Sequence, residues 1–163
     1  MLSSFGYHAT PTLACYDYGR RALAPAFAAA LDTRNRVSRS IAGYFGDYDI
    51  LLTPTLPDLP LAIGTYAAGA EHMDGLEWTA RVFRHSPYTP AINLAGVPAM
   101  SVPLGSSTGG LPIGVQFVAG FGRDDVLFRL AGQLERAQPW AGRRPAIWAG
   151  PARQAWNTTC CKK

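Results

Sequence analysis

Ala99-Met100-Ser101-Val102-Pro103-Leu104 and Ile113-Gly114-Val115-Gln116-Phe117-Val118 stand on either side of Gly105-Ser106-Ser107-Thr108-Gly109-Gly110. Two apolar runs of strand length around a glycine-rich reversal predict a β-hairpin, because glycine supplies the positive φ angles that a tight reversal needs. Downstream, Gly122 to Asp125 opens a helix whose Val126, Leu127, Leu130, Ala131 and Leu134 share one stripe, and which ends near Gln138-Pro139. Upstream, Thr89-Pro90 reads as an N-cap followed by proline at the first helical position, where the missing N–H costs nothing. That short helix should run to about Leu94 and stop at Gly96.

Further out, Ile50-Leu51-Leu52-Thr53 lies between the turn residues Asp47 to Asp49 and Pro54, and reads as a buried strand. From about Arg20 to Phe45, Leu23, Phe27, Leu31, Ile41 and Tyr44 or Phe45 recur at helical spacing, predicting a long amphipathic helix that opens near Pro25 and stops at Gly46. Residues 54–75 hold Pro54, Pro57, Pro60, Gly64, Gly69 and Gly75, which excludes a long regular element and leaves a loop long enough to be functional. Glu77 to His85 reads as a short helix. Residues 1–19 have no clear periodicity and are expected to be a lead-in segment. No repeat and no internal domain boundary is visible.

The chain has 163 residues, 48% of them hydrophobic and 16% charged, a mix suited to one globular domain. A domain of this length buries roughly two thirds of the surface its unfolded chain exposes, enough for a core without disulfide staples. No apolar run reaches membrane-spanning length, and the first residues lack the basic start and apolar stretch of a signal peptide, so a cytoplasmic location is expected. The net charge is +4, but the arginines are scattered and the longest basic groupings are the pairs Arg20-Arg21, Arg143-Arg144 and Lys162-Lys163. Phosphate binding needs positive charge concentrated on one face, so neither a nucleic-acid partner nor a membrane is expected.

The chemistry-bearing residues are sparse. Cys15, Cys160 and Cys161 have no metal-type spacing, and His8, His72 and His85 stand singly, so no metal and no cofactor is expected. Ser101, Ser106 or Ser107 could be drawn into a triad with His85 and an aspartate, but Gly105-Ser106-Ser107-Thr108-Gly109 lies between two strands, whereas a nucleophile elbow joins a strand to a helix. The same turn lacks the pattern of a phosphate loop. Asp124-Asp125 at a helix start is explained by the positive end of the helix dipole. Lysine occurs only at Lys162 and Lys163, so a mechanism that needs a desolvated lysine base has no place for it within the periodic segments.

Three stretches together resemble the carboxy-terminal part of the amidase signature family. They are Tyr48-Asp49-Ile50-Leu51-Leu52-Thr53-Pro54-Thr55; Thr89-Pro90-Ala91-Ile92-Asn93-Leu94-Ala95-Gly96-Val97-Pro98-Ala99; and Ser101-Val102-Pro103-Leu104 followed by Gly110-Leu111-Pro112-Ile113-Gly114-Val115-Gln116. Order and spacing fit, as does the closing helix with Leu134-Glu135 and Pro139-Trp140, so the resemblance covers about residues 12–148. It implies an α/β fold with a mixed β-sheet flanked by helices, and hydrolysis or transfer of linear amide C–N bonds. It also implies a serine nucleophile activated, through a second serine in a cis peptide, by a lysine, with backbone amides as the oxyanion hole.

Those catalytic parts belong to the amino-terminal half of the family's members, which nothing in this sequence matches. Gly105-Ser106-Ser107 is superficially similar to the family's nucleophile motif but sits in the hairpin turn, so no catalytic residue is assigned. The resemblance implies that Tyr88, Thr89 and Asn93 help shape the substrate pocket of a complete enzyme, helix capping being the alternative for Thr89 and a structural place the alternative for Asn93. The loop from Pro54 to Trp78 resembles a variable segment near the pocket mouth. The expectation is a single partial amidase domain, with residues 149–163 a flexible tail, inactive alone. Its partners would be a small-molecule amide in a complete enzyme and an amino-terminal amidase half. The alternative is a noncatalytic binding module that complements such a half or another partner.

Overall fold

The computed structural model describes residues 6–145, with side chains from Pro11 onward. In chain order the elements are α1 (Gly6–Gly19), α2 (Ala24–Tyr44), β1 (Ile50–Pro54), a 3-10 turn (Ala70–His72), α3 (Gly75–His85), α4 (Thr89–Ala95), β2 (Ala99–Ser106), β3 (Pro112–Ala119) and α5 (Asp124–Ala137). The expected tail at 149–163 lies outside the described residues.

The hairpin is present, and its second strand is the centre of a three-stranded sheet of order β1-β3-β2. Both pairings are antiparallel: Leu52 faces Phe117, and Phe117 faces Met100. Side chains alternate across a strand, so Leu52, Phe117, Met100, Val102 and Ala119 share one face, while Thr53, Gln116, Ser101 and Val118 share the other. The first face carries the core. Phe117 and Leu127 are 5% exposed, and Leu130, Leu134 and Trp140 pack against the same cluster. The stripe read from residues 126–134 is thus the face by which α5 closes over the sheet. The α/β arrangement expected from the sequence, a sheet flanked by helices, is present; where a mixed sheet was expected, the pairings among the described residues are all antiparallel.

The hairpin turn is built as its composition requires. The Gly110 amide donates to the Ser107 carbonyl (2.9 Å), the Ser107 hydroxyl accepts from the Leu111 amide (3.0 Å), and Gly110 has φ +80°. Ser107 therefore holds the turn. α2 begins with Pro25 in its first turn, as read, since a helix start has N–H groups without intrahelical partners. α3 begins two residues earlier than expected because Asp74 and Glu77 form a reciprocal capping box: the Asp74 carboxylate accepts from the Leu76 and Glu77 amides, and Glu77 accepts from the Asp74 amide.

Three expectations are corrected. Ile50 to Thr53, expected as a buried strand, is a strand without a buried residue, and Leu52 is 60% exposed, because β1 is the edge of the sheet among the described residues. Residues 6–19 are helical, although the polar and aromatic run shows little amphipathic period and Pro11 lies inside the helix. Tertiary packing overrides local pattern here: α1 lies against α3, where Cys15 Sγ is 3.8 Å from the Gly75 carbonyl oxygen. Thr89 is not an N-cap. Tyr88 occupies that position in helical geometry, no side chain caps the helix, and Thr89 is its first residue; Gly96 ends it at φ +73°, as expected.

At the start of α5, partial desolvation pushes the Asp125 carboxyl up, but the hydrogen bond and charge of Arg123, the charge of Arg129 and the Val126 amide together hold it below its ordinary value. Arg123 and Arg129 donate to it at 3.2 and 3.0 Å. A depressed carboxyl stabilises the folded state above the unfolded aspartate pKa of about 3.9 and loses that contribution as pH falls through the lower, folded value. Asp125→Asn should therefore flatten the acid limb of a stability-versus-pH curve below about pH 4. An unchanged limb in urea titrations across that range would contradict this.

Candidate functional site

The chain leaves β1 at Pro54 and crosses the sheet face opposite α5. Thr55 donates its amide to the Gly114 carbonyl (3.0 Å), and its hydroxyl meets the Ser101 hydroxyl at 2.5 Å. The two side chains join over Gly114 of β3: a Cβ there would lie 2.8 Å from Thr55 Oγ1 and 3.0 Å from Ser101 Oγ. Next to this pair, Gln116, 5% exposed, donates to the Thr53 hydroxyl at 3.1 Å, and that hydroxyl donates to the Pro54 carbonyl at 2.9 Å. A row of hydroxyl and amide groups thus crosses all three strands.

Over this floor the loop that follows β1 makes one wall of a cavity of about 320 Å³, with Leu56, Asp58, Leu59 and Ile113 around Thr55 and Ser101. On its other side the same loop borders a second groove of about 330 Å³, lined by Leu61, Tyr66, Val82, His85 and Ser86 together with Leu56 and Leu59. Tyr66 is fixed there edge-on to Trp78 and to His85, with ring centroids 5.6 and 5.3 Å apart. Arg81 clamps the loop by donating to the Tyr66 and Ala68 carbonyls at 3.2 and 2.7 Å. The loop is positioned, and it divides two pockets.

The arrangement suits binding more than bond cleavage. Among the described residues Ser101 has a hydroxyl for a neighbour and no imidazole, amine or carboxylate bonded to it, so none of them withdraws its proton. His85 lines the second groove while Ser101 lines the first, and Ser107 is committed to its turn. Among the described residues no group of histidine, cysteine and acidic side chains could hold a metal. No described helix is long and apolar enough to cross a membrane.

Thr89 and Asn93 lie on α4, which packs against α2, and Tyr88 immediately precedes it. Thr89 is half-buried, Asn93 is exposed, and Tyr88 is 36% exposed. None of the three lines either groove. Sequence reasoning missed the Thr55–Ser101 pair; its signal was Gly114, a glycine inside a strand, which marks a close approach.

A three-stranded antiparallel sheet under one helix, with a loop-walled cavity on its opposite face, defines a piece of an α/β domain. Comparison with known proteins gives the family: the Amidase family model matches residues 15–128, and the chain belongs to that family. The 6-aminohexanoate-cyclic-dimer hydrolase of Pseudomonas sp. (strain NK87) is 37% identical over 130 residues, covering 75% of this chain and 26% of that protein. The 6-aminohexanoate-cyclic-dimer hydrolase of Paenarthrobacter ureafaciens is 35% identical over 130 residues, again 75% of this chain and 26% of that one. A solved 6-aminohexanoate cyclic dimer hydrolase complexed with substrate superposes with a TM-score of 0.71 at 35% identity, over 78% of this chain and 27% of that one. The chain therefore spans about a quarter of the length of the relatives it matches.

Proposed function

We propose that this chain is a single partial amidase domain for the hydrolysis of a linear amide C–N bond. It supplies sheet core and one wall of the substrate pocket, and the nucleophile and its activating lysine come from polypeptide beyond this sequence. The observation that carries this reading is that the segment matching the family, residues 15–128, contains no lysine. A serine made nucleophilic by a lysine needs that amine desolvated and held by packing.

In this reading Tyr88, Thr89 and Asn93 face the substrate. Their support is that α4 is a short helix that follows Tyr88 and ends at Gly96, and that Tyr88 and Asn93 remain outside the core. The test uses the Pseudomonas hydrolase with this chain in place of its matching segment. That chimera should hydrolyse an amide, and Asn93→Ala in it should raise KM about 2- to 10-fold, the worth of one hydrogen bond, with the melting temperature unchanged. A folded chimera without turnover would overturn the proposal.

A second reading is a noncatalytic module that complements an amino-terminal amidase half supplied separately. It is favoured by the apolar exposure of α2, where Leu23 is 74% and Phe27 64% exposed. Amide turnover on mixing the chain with the separate remainder of the hydrolase would support it, and no association between the two would contradict it.

A further inference from the structure

We infer that the loop after β1 selects an amide that carries a primary ammonium at the end of a short apolar chain, and that Asp58 is the residue that reads that charge. The inference rests on the partial-domain reading and names a substrate class for the same enzyme. Leu56, Asp58, Leu59 and Pro60 line both grooves, so this stretch is their shared wall. Among the described residues that line them, Asp58 is the only carboxylate, and none is a lysine or an arginine. In a chain of net charge +4 the two grooves therefore carry the opposite sign. Among the described residues Asp58 has no hydrogen bond and no ion pair. Arg81, which holds the loop, is committed to the Tyr66 and Ala68 carbonyls, and His85 lies against the Tyr66 ring.

A ligand that fills either groove displaces water from the Asp58 carboxylate, and a charge taken out of water without a partner is costly. A neutral ligand leaves that cost unmet and an anion adds repulsion, whereas an ammonium returns a charge-assisted hydrogen bond. The rest of the wall fixes what the charge is attached to. Leu56 and Leu59, on either side of Asp58, are each 46% exposed, and Leu61 and Ile113 add further open apolar surface that a hydrocarbon chain can cover. The wall is anchored at both ends, by Thr55 on Gly114 and Ser101 and by Arg81 on the Tyr66 and Ala68 carbonyls. Asp58 is thus presented from a fixed loop, with its charge left for the ligand.

The test has a binding arm and a turnover arm. The 163-residue chain is titrated with hexylammonium, hexanol and hexanoate and followed by amide NMR. Hexylammonium should shift the Asp58, Leu59 and Leu61 amides and bind most tightly of the three. Asp58 is exposed and without a partner among the described residues, so Asp58→Asn keeps the fold. It should weaken hexylammonium by about 2- to 5-fold, the range of an exposed ion pair, and not weaken hexanol. Hexanol binding as tightly as hexylammonium, or no shift with any of the three, would overturn the inference. In the chimeric hydrolase described above, kcat/KM should be higher for the p-nitroanilide of δ-aminovalerate than for that of valerate, and Asp58→Asn should lower that ratio. An active chimera without this preference would overturn the inference and leave the proposed function standing. A folded chimera that turns over neither would overturn the proposed function, and this inference with it.

Discussion

Gly75→Val is expected to push α1 off α3 and to lower the stability of the chain by about 3 kcal/mol or more, at the upper end of overpacking costs. Gly75 is buried where the first turn of α3 meets α1. A Cβ at this position would lie 2.6 Å from the Ala14 carbonyl oxygen, 2.7 Å from Cys15 Cα and 2.8 Å from Tyr18 Cβ. These atoms are backbone or directly attached to it, so no side-chain rotation relieves the clash, and the helices must separate. Separation also removes the contacts of Cys15 Sγ with the Gly75 carbonyl and the Thr79 hydroxyl. Gly43→Ala is the control. Gly43 lies within α2 and a Cβ there meets nothing within 4 Å, so the change should stabilise the helix by up to about 1 kcal/mol. Urea unfolding of the two variants should move the midpoint in opposite directions; a Gly75→Val midpoint equal to that of the unaltered chain would contradict the α1–α3 packing.

The second large effect is at Phe117. Its ring is 5% exposed on the central strand, within one cluster with Val102, Ala119 and Leu127 beneath α5. Phe117→Ala removes the largest side chain of that cluster and leaves a cavity, and should cost about 3–5 kcal/mol. Against a typical domain stability of about 5–15 kcal/mol, that is a large fraction. Leu52→Ala on the same face is the contrast: Leu52 is 60% exposed in this chain, so its loss should cost less than about 1 kcal/mol here. Equal losses for the two variants would mean that the face is not organised around β3.

How far the sequence could be read follows from where each signal resides. The hairpin, β1, α2, α4 and α5 were legible because turn chemistry and apolar spacing are local, and Gly96, Gly110 and Pro25 stand where reversals and helix ends require them. α1 was not, because its stability comes from a neighbour sixty residues away, through Cys15 and Gly75. Thr89 was misplaced by one position because threonine before proline suits both the cap and the first helical turn. The cavity floor was beyond local reading: Thr55 and Ser101 meet only once β1 and β2 are placed on either side of β3. The resemblance, in contrast, needed only the order of three motifs, and the match to the Amidase family over residues 15–128 bears it out.

Scaffold and pocket wall, without the groups that cleave an amide, is the role proposed for these residues. It is tested most directly by incubating the purified 163-residue chain with a chromogenic amide and following amine release, beside its Ser101→Ala and Ser107→Ala variants. Release at the uncatalysed rate is expected in all three samples, because among the described residues Ser101 bonds to Thr55 alone and Ser107 holds the hairpin turn. Turnover by the unaltered chain that either substitution abolishes would contradict it.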